Sequence, residues 1–235
     1  MQRYFAKVKK GNEFILYEQD YHHIKNVMRG RIGDNLEVVY ANIVYICSIE
    51  NIEPLKLNII NTIKEKNELN IDLTVAVSLV NEQKFDLILQ KLTELGVSTI
   101  IPIETTRSII KLDNKKAIKK ITRWQTICKE ASEQSKRTKI PTVRNIMPLK
   151  DLKSVSCNLK LLCSLNETSQ PLNTYLNDSI QNILFVIGPE GGFTQEEEIY
   201  LLKNDFKGVS LGKRVMRVET AAIYVASIIN YVYKG

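Results

Sequence analysis

No apolar run in this 235-residue chain approaches the roughly 20 residues that a membrane-spanning helix needs. The opening Met1-Gln2-Arg3-Tyr4-Phe5-Ala6-Lys7-Val8-Lys9-Lys10 has no apolar signal core, so no membrane role and a cytoplasmic location are expected. Cys47, Cys128, Cys157 and Cys163 form no CxxC pair, which argues against both zinc and a disulfide framework. His22 and His23 are adjacent, and neighbours on a helix point in different directions, so they make no metal pair. No metal is expected. A GxGxxG fingerprint is missing, which disfavours a Rossmann-type dinucleotide site. Internal repeats and low-complexity segments are also absent.

What is present is an ordinary globular composition, 44% hydrophobic and 25% charged, long enough for one large domain or two small ones. The net charge is +7, unevenly spread: from Arg107 to Lys150 there are 13 Lys and Arg against 3 Asp and Glu, a local +10 that leaves −3 elsewhere. A basic segment on an otherwise slightly acidic chain points to a polyanion such as nucleic acid. The alternative is a solvated, lysine-rich helix face.

Up to about residue 70 the pattern is of short strands, at 4–8, 14–17, 36–39, 43–49 and 55–60, with turns at 10–12 and 33–35, as in a small β-barrel. A helix is predicted over 20–29. The period then changes. Strand patterns at 72–79, 97–103, 159–163, 183–187 and 209–211 alternate with helical ones, which predicts a parallel α/β sheet. Phe85, Ile88, Leu89, Leu92 and Leu95 fall at helical spacing and Gly96 supplies a stop. A long helix over 114–137 carries Ile118, Ile121, Trp124, Cys128 and Ala131 along one stripe, and a last helix covers 219–233. The polar run 65–69 divides the chain into domains 1–68 and 69–235.

The stretch richest in chemistry is Leu184-Phe185-Val186-Ile187-Gly188-Pro189-Glu190-Gly191-Gly192-Phe193-Thr194-Gln195-Glu196-Glu197-Glu198. A buried strand ends in glycines, where the chain turns sharply and lies bare to a ligand. Thr194 and Glu197 stand as a capping box, so a helix starts at once. Strand end, glycine turn and helix N-terminus form the crevice where α/β sheets bind small molecules. Glu196, Glu197 and Glu198 disfavour a phosphate there and favour a neutral or partly cationic ligand. On spacing alone, a plain strand-to-helix connection is an equal alternative. A second loop, Leu211-Gly212-Lys213-Arg214-Val215-Met216-Arg217-Val218-Glu219-Thr220-Ala221, brings two arginines and a glutamate to a strand end, with a purely structural arginine pair as the bland alternative.

Four stretches together carry a resemblance: Gln90-Lys91-Leu92-Thr93-Glu94-Leu95-Gly96-Val97, Glu130-Ala131-Ser132-Glu133-Gln134-Ser135-Lys136-Arg137, Ile187–Phe193 and Leu211–Ala221. With His22-His23-Ile24, Val27-Met28-Arg29 and Gly33-Asp34, the chain resembles the RsmE family of 16S ribosomal RNA methyltransferases, in the SPOUT (α/β knot) superfamily. The resemblance implies an N-terminal PUA-like β-barrel for RNA and a C-terminal α/β domain with a trefoil knot. It also implies a homodimer, S-adenosylmethionine as methyl donor, and N3 of one uridine in 16S ribosomal RNA, within the small subunit, as acceptor. The family usually has glycine where Lys136 stands and Ile-Leu where Val215-Met216 stand.

By that resemblance Ile187, Gly188, Pro189, Glu190, Gly191, Gly192, Leu211, Gly212, Arg214, Val215, Met216, Thr220 and Ala221 would hold the donor, with Leu162 and Cys163 completing the pocket. Uridine N3 is a poor nucleophile until its proton leaves and charge spreads to the flanking carbonyl oxygens, which guanidinium groups stabilise. Arg137 and Arg217 are expected in that role. Glu219 is expected either to accept the proton or to orient an arginine, and Thr220 to cap the last helix. Arg3, Lys25, Arg29, Arg31, Arg107 and Arg123 are the expected RNA contacts. A non-catalytic RNA-binding protein is the competing class; donor binding separates the two.

Overall fold

The computed structural model of the protein describes residues 1–108, 110, 112–164 and 169–233. It divides into two compact units, residues 1–68 with 132–139, and residues 69–131 with 140–235.

The first unit contains β1 (Arg3–Phe5), β2 (Val8–Lys10), β3 (Glu13–Ile15), the short α1 (Glu18–His22) continued by one π-helical turn over His23–Val27, and then β4 (Asn35–Tyr40), β5 (Ile43–Ile52) and β6 (Leu55–Ile63). The stretch predicted as one strand over 4–8 is broken in two. β1 pairs in parallel with β4 while β2 pairs antiparallel with β3, giving a four-stranded sheet in the order β1-β4-β5-β6 and a separate hairpin. Alternation along β4 and β5 turns Leu36, Val38, Cys47 and Ile49 into a core shared with Tyr4, Leu16 and Ile24. The predicted helix over 20–29 ends early: Arg29 adopts a left-handed φ of 51°. His23 Nδ1 is hydrogen-bonded to the Tyr4 hydroxyl at 2.8 Å.

Segment 132–139 closes this unit through a charged cluster. Arg3, 1% exposed, donates from Nε to Glu37 (2.7 Å) and from Nη2 to Glu65 (2.9 Å). It also caps the carbonyls of Lys136 and Arg137 through Nη1. Glu68 receives Arg137 Nη2 at 2.6 Å and the backbone N–H groups of Thr138 (2.9 Å) and Lys139 (3.0 Å). Burial alone would raise the Glu68 carboxyl, but Arg137 and these N–H groups outweigh it and hold it below the usual glutamate range.

The second unit is a parallel sheet built from β7 (Asp72–Ser78), β8 (Thr99–Glu104), β9 (Thr142–Val143), β10 (Met147–Pro148), β11 (Leu159–Cys163), β12 (Gln170–Pro171), β13 (Asn182–Ile187) and β14 (Phe206–Ser210). The described order is β10-β8-β7-β13-β11-β14-β12, with β9 also on β8. Its helices are α2 (Glu82–Glu94), α3 (Asn114–Gln134, whose last residues belong to the first unit), α4 (Gln195–Leu202) and α5 (Val218–Tyr233). Continuous apolar runs make the central strands because both faces are covered. Ile183, Phe185 and Ile187 of β13 pack with α2 and α5, while Leu184 and Val186 face Leu201, Phe193 and the turn of Leu149 and Leu152. The stripe predicted for α3 is only half right: Trp124, Cys128 and Ala131 are buried, but Ile118 is 66% exposed. No helix of the described residues is long and apolar enough to cross a membrane.

Two helices end in the same way. In α2 the N–H of Gly96 meets Thr93 O (3.1 Å) and that of Val97 meets Leu92 O (3.0 Å), with Gly96 at φ +89°. In α3 the N–H of Lys136 meets Glu133 O (3.4 Å) and that of Arg137 meets Ser132 O (2.9 Å), with Lys136 at φ +59°. Both are Schellman terminations, in which the left-handed position is usually glycine. Lys136 occupies it with a side chain.

Candidate functional site

β13 stops at Ile187 because Gly188-Pro189 cannot extend the ladder. The turn closes on a Gly192 N–H to Pro189 O bond of 2.9 Å, with Gly192 at φ +67°. Phe193 folds back so closely that a Cβ on Gly188 would lie 3.2–3.3 Å from its ring. Thr194 then caps α4: its Oγ1 accepts the Glu197 N–H (3.2 Å) and its own N–H reaches Glu197 Oε2 (2.9 Å). The other oxygen of Glu197 accepts the Thr106 N–H at 2.7 Å, so the cap also ties down the chain leaving β8. Arg107 on that chain donates to Phe193 O (3.1 Å) and Gly191 O.

These connections surround a cavity of about 370 Å³, in the size range of small-molecule sites. Its walls follow the carboxyl ends of four parallel strands: Arg107 after β8, Cys163 and Ser164 at the end of β11, 187–193 with Gln195 and Glu198 after β13, and Leu211, Gly212, Arg214, Val215, Met216, Val218 and Ala221 after β14. Open α/β sheets present ligands with their strand ends in this way. Val215 is 78% exposed although it lines the cavity, an apolar surface that a ligand or partner would cover. Of the carboxylates, Glu190 is paired with Lys84 Nζ at 2.9 Å and Glu198 accepts from Ser164 Oγ at 3.2 Å. Burial, with the nearby Glu198 charge, pushes the Cys163 thiol up to about 11, so it stays protonated at neutral pH.

The structure thus brings together most residues expected at the pocket: Cys163, Ile187, Gly188, Pro189, Glu190, Gly191, Gly192, Leu211, Gly212, Arg214, Val215, Met216 and Ala221. Two fall outside it. Leu162 is fully buried in the core beneath the sheet, because its neighbour Cys163 takes the opposite face of the strand. Thr220 lies inside the first turn of α5, which begins at Val218, so it is exposed and does not cap the helix. Arg217 is exposed between two lining residues. Glu219 is half-buried, and its Oε2 is buried with no hydrogen-bond partner among the described residues. Such an orphaned acceptor costs about 1–3 kcal/mol until a donor arrives. Ser164, Phe193, Gln195, Glu198 and Val218 were missed, although each is within a few residues of a recognised motif.

The remaining expected residues are distributed over both units. Arg137 does not line the cavity; it is 4% exposed and tied to Glu68 in the first unit. Arg3 is buried and neutralised by Glu37 and Glu65, so it has no surface to offer RNA. Arg123 forms a surface network with Asp86 and Glu82, Arg107 faces the cavity turn, and Lys25 pairs with Glu53. Arg29 and Arg31 remain exposed, and neither makes an ion pair among the described residues.

Taken together, a parallel α/β unit with a ligand cavity at its strand ends and a separate small β unit define a two-part small-molecule-binding protein. Residues 67–230 match the RNA methyltransferase domain model and residues 16–60 the RNA methyltransferase PUA domain model, and the chain belongs to this RNA methyltransferase family. It is 34% identical to the ribosomal RNA small subunit methyltransferase E of Bacillus subtilis (strain 168), covering 98% of this chain and 96% of that protein. The protein of the same name from Mesomycoplasma hyopneumoniae (strain 232) is also 34% identical, over 96% of this chain and 97% of its own. Among solved structures, the ribosomal RNA small subunit methyltransferase E of Neisseria gonorrhoeae bound to S-adenosyl methionine is 28% identical with a TM-score of 0.90, covering 99% of this chain and 98% of its own. The fold is therefore α/β, with a PUA-like N-terminal domain and a parallel-sheet methyltransferase domain.

Proposed function

We propose that the protein methylates ribosomal RNA of the small subunit, with S-adenosylmethionine bound in the cavity formed by loops 187–193 and 211–218. The carrying observation is that cavity itself, placed at four strand ends in a chain similar along its full length to a protein solved with this donor. Its residues suit the donor: Ile187, Leu211, Val215 and Met216 offer apolar walls for an adenine, and acidic groups accompany a ligand that is cationic at sulfur. The donor supplies an electrophilic methyl on a sulfonium.

We assign the acceptor as N3 of a 16S uridine, as the sequence resemblance implies. Arg217, exposed at the cavity loop, would stabilise charge on the flanking carbonyls. Glu219, with its unpartnered Oε2, would take the N3 proton or hold Arg217. Arg137 is an anchor of segment 132–139 in this reading. Arg29 and Arg31 are the RNA-facing cations of the PUA-like domain, divided from the methyltransferase domain near residue 68. A homodimer, a trefoil knot, a cytoplasmic location and the assembled small subunit as substrate complete the proposal.

The test is calorimetric titration with S-adenosylmethionine, followed by transfer of labelled methyl to unmodified small subunits. Label in 3-methyluridine supports the reading; absence of donor binding refutes it and favours a plain RNA binder. Arg217→Ala should lower turnover at least about 100-fold while donor binding persists. Loss of transfer in Arg137→Ala at an unchanged melting temperature would return that residue to the reacting base.

A further inference from the structure

Three acidic residues open α4, and the structure gives each a different use. Glu196 is exposed and does not line the cavity. Glu197 is consumed by the capping box and by the Thr106 N–H. Glu198 alone of the three lines the cavity, half-buried, beside Cys163 and with Ser164 Oγ donating to its Oε1. Of the other charges lining the cavity, Glu190 is engaged by Lys84 and Arg107 by the carbonyls of Gly191 and Phe193, while Arg214 on the opposite loop is exposed and pairs with no carboxylate among the described residues. Among the described residues no lysine or arginine forms an ion pair with Glu198. A half-buried carboxylate without a counter-cation, facing a small-molecule cavity, is suited to a positively charged ligand.

We propose that Glu198 is a specificity-determining residue that reads the sulfonium charge of the methyl donor, with Ser164 holding the carboxylate in place. This rests on the methyl-donor reading above and deepens it. Donor and product differ at sulfur by one methyl and one positive charge: the sulfonium becomes a neutral thioether when the methyl leaves. A carboxylate directed at that charge favours the donor over S-adenosylhomocysteine, and so favours product exchange after each turnover. Binding that discriminates the two ligands is thus built into a residue with no part in the transfer itself.

Calorimetric titrations of the whole chain with S-adenosylmethionine and with S-adenosylhomocysteine test this without RNA or turnover. The wild type should bind the donor more tightly than the product. Glu198→Gln keeps the side-chain shape and an acceptor for Ser164, and should weaken donor binding roughly tenfold, about 1.4 kcal/mol, with product binding changed less than about twofold. Ser164→Ala, which frees the carboxylate without removing its charge, should shift the ratio in the same direction by less. Equal weakening of both ligands in Glu198→Gln, or an unchanged ratio, overturns the proposal; the first outcome would indicate a contact elsewhere on the ligand or a structural role. A wild-type chain that binds neither ligand refutes the methyl-donor assignment itself, a result distinct from both.

Discussion

Lys136 holds a left-handed backbone position of the kind that glycine usually fills, so replacing it separates backbone strain from side-chain bonding. A non-glycine residue at φ +59° carries about 1–2 kcal/mol of steric cost. Glycine removes that cost but is freer in the unfolded chain, which returns about 0.4–1 kcal/mol of the gain. The side chain contributes in the other direction: Nζ donates to Glu37 Oε2 at 2.9 Å and to Met1 O, from a lysine 40% exposed. Solvent screening limits such a pair to about 0.2–1 kcal/mol. Lys136→Gly should therefore be nearly neutral, the relief of strain offsetting the lost pair. Lys136→Ala loses the pair and keeps the strain, and should fall about 0.5–1 kcal/mol below Lys136→Gly. For a chain of this size that is roughly 1–4 °C in melting temperature. Scanning calorimetry would read it, on whichever transition Arg3→Met displaces, since Arg3 and Lys136 belong to the same unit. An alanine variant as stable as the glycine variant would falsify the idea that strain is stored there.

Removing the buried guanidinium with Arg3→Met takes one donor each from Glu37, Glu65 and two carbonyls, leaving Lys136 on Glu37 and Asn67 on Glu65, and should cost about 3–5 kcal/mol in urea unfolding; a loss below about 1 kcal/mol would show that the cluster is solvated. Gly96→Ala meets the same left-handed requirement as Lys136 but with no room, because its Cβ would lie 2.8 Å from Leu69 Cγ. It should destabilise by about 1–3 kcal/mol, more than Lys136→Ala, in the same unfolding assay. Glu68 has a folded-state pKa below its unfolded one, so its contribution is present above about pH 5 and lost as pH falls through the folded value. Melting curves from pH 7 to 3 should show the gap between wild type and Glu68→Gln closing towards acid; a constant gap would refute the linkage.

Much of the methyltransferase domain was legible in the sequence because its signals are local. Apolar runs such as 183–187 read as buried strands since a parallel sheet covers both faces, and the Thr194–Glu197 capping box followed from spacing within one helical turn. The loops 187–192 and 211–216 stood out as glycine-bearing strand ends because such turns are encoded where they occur, but it was the family resemblance that singled them out as the donor pocket. What the sequence could not settle was which charge meets which partner. Arg3 and Arg137 look like free cations in a basic chain, yet carboxylates 34 to 69 residues away bury and neutralise them. The split of the first predicted strand between two sheets, the exposure of Ile118 and the burial of Leu162 are likewise products of packing between elements distant in sequence. The use of Glu198 rather than its two neighbours at the cavity belongs to the same class, because a helix turns each successive side chain by about 100°. Pattern and turn chemistry act over a few residues and are written in the chain; pairing, burial and the sharing of a cavity depend on contacts across it, and only the tertiary structure decided those.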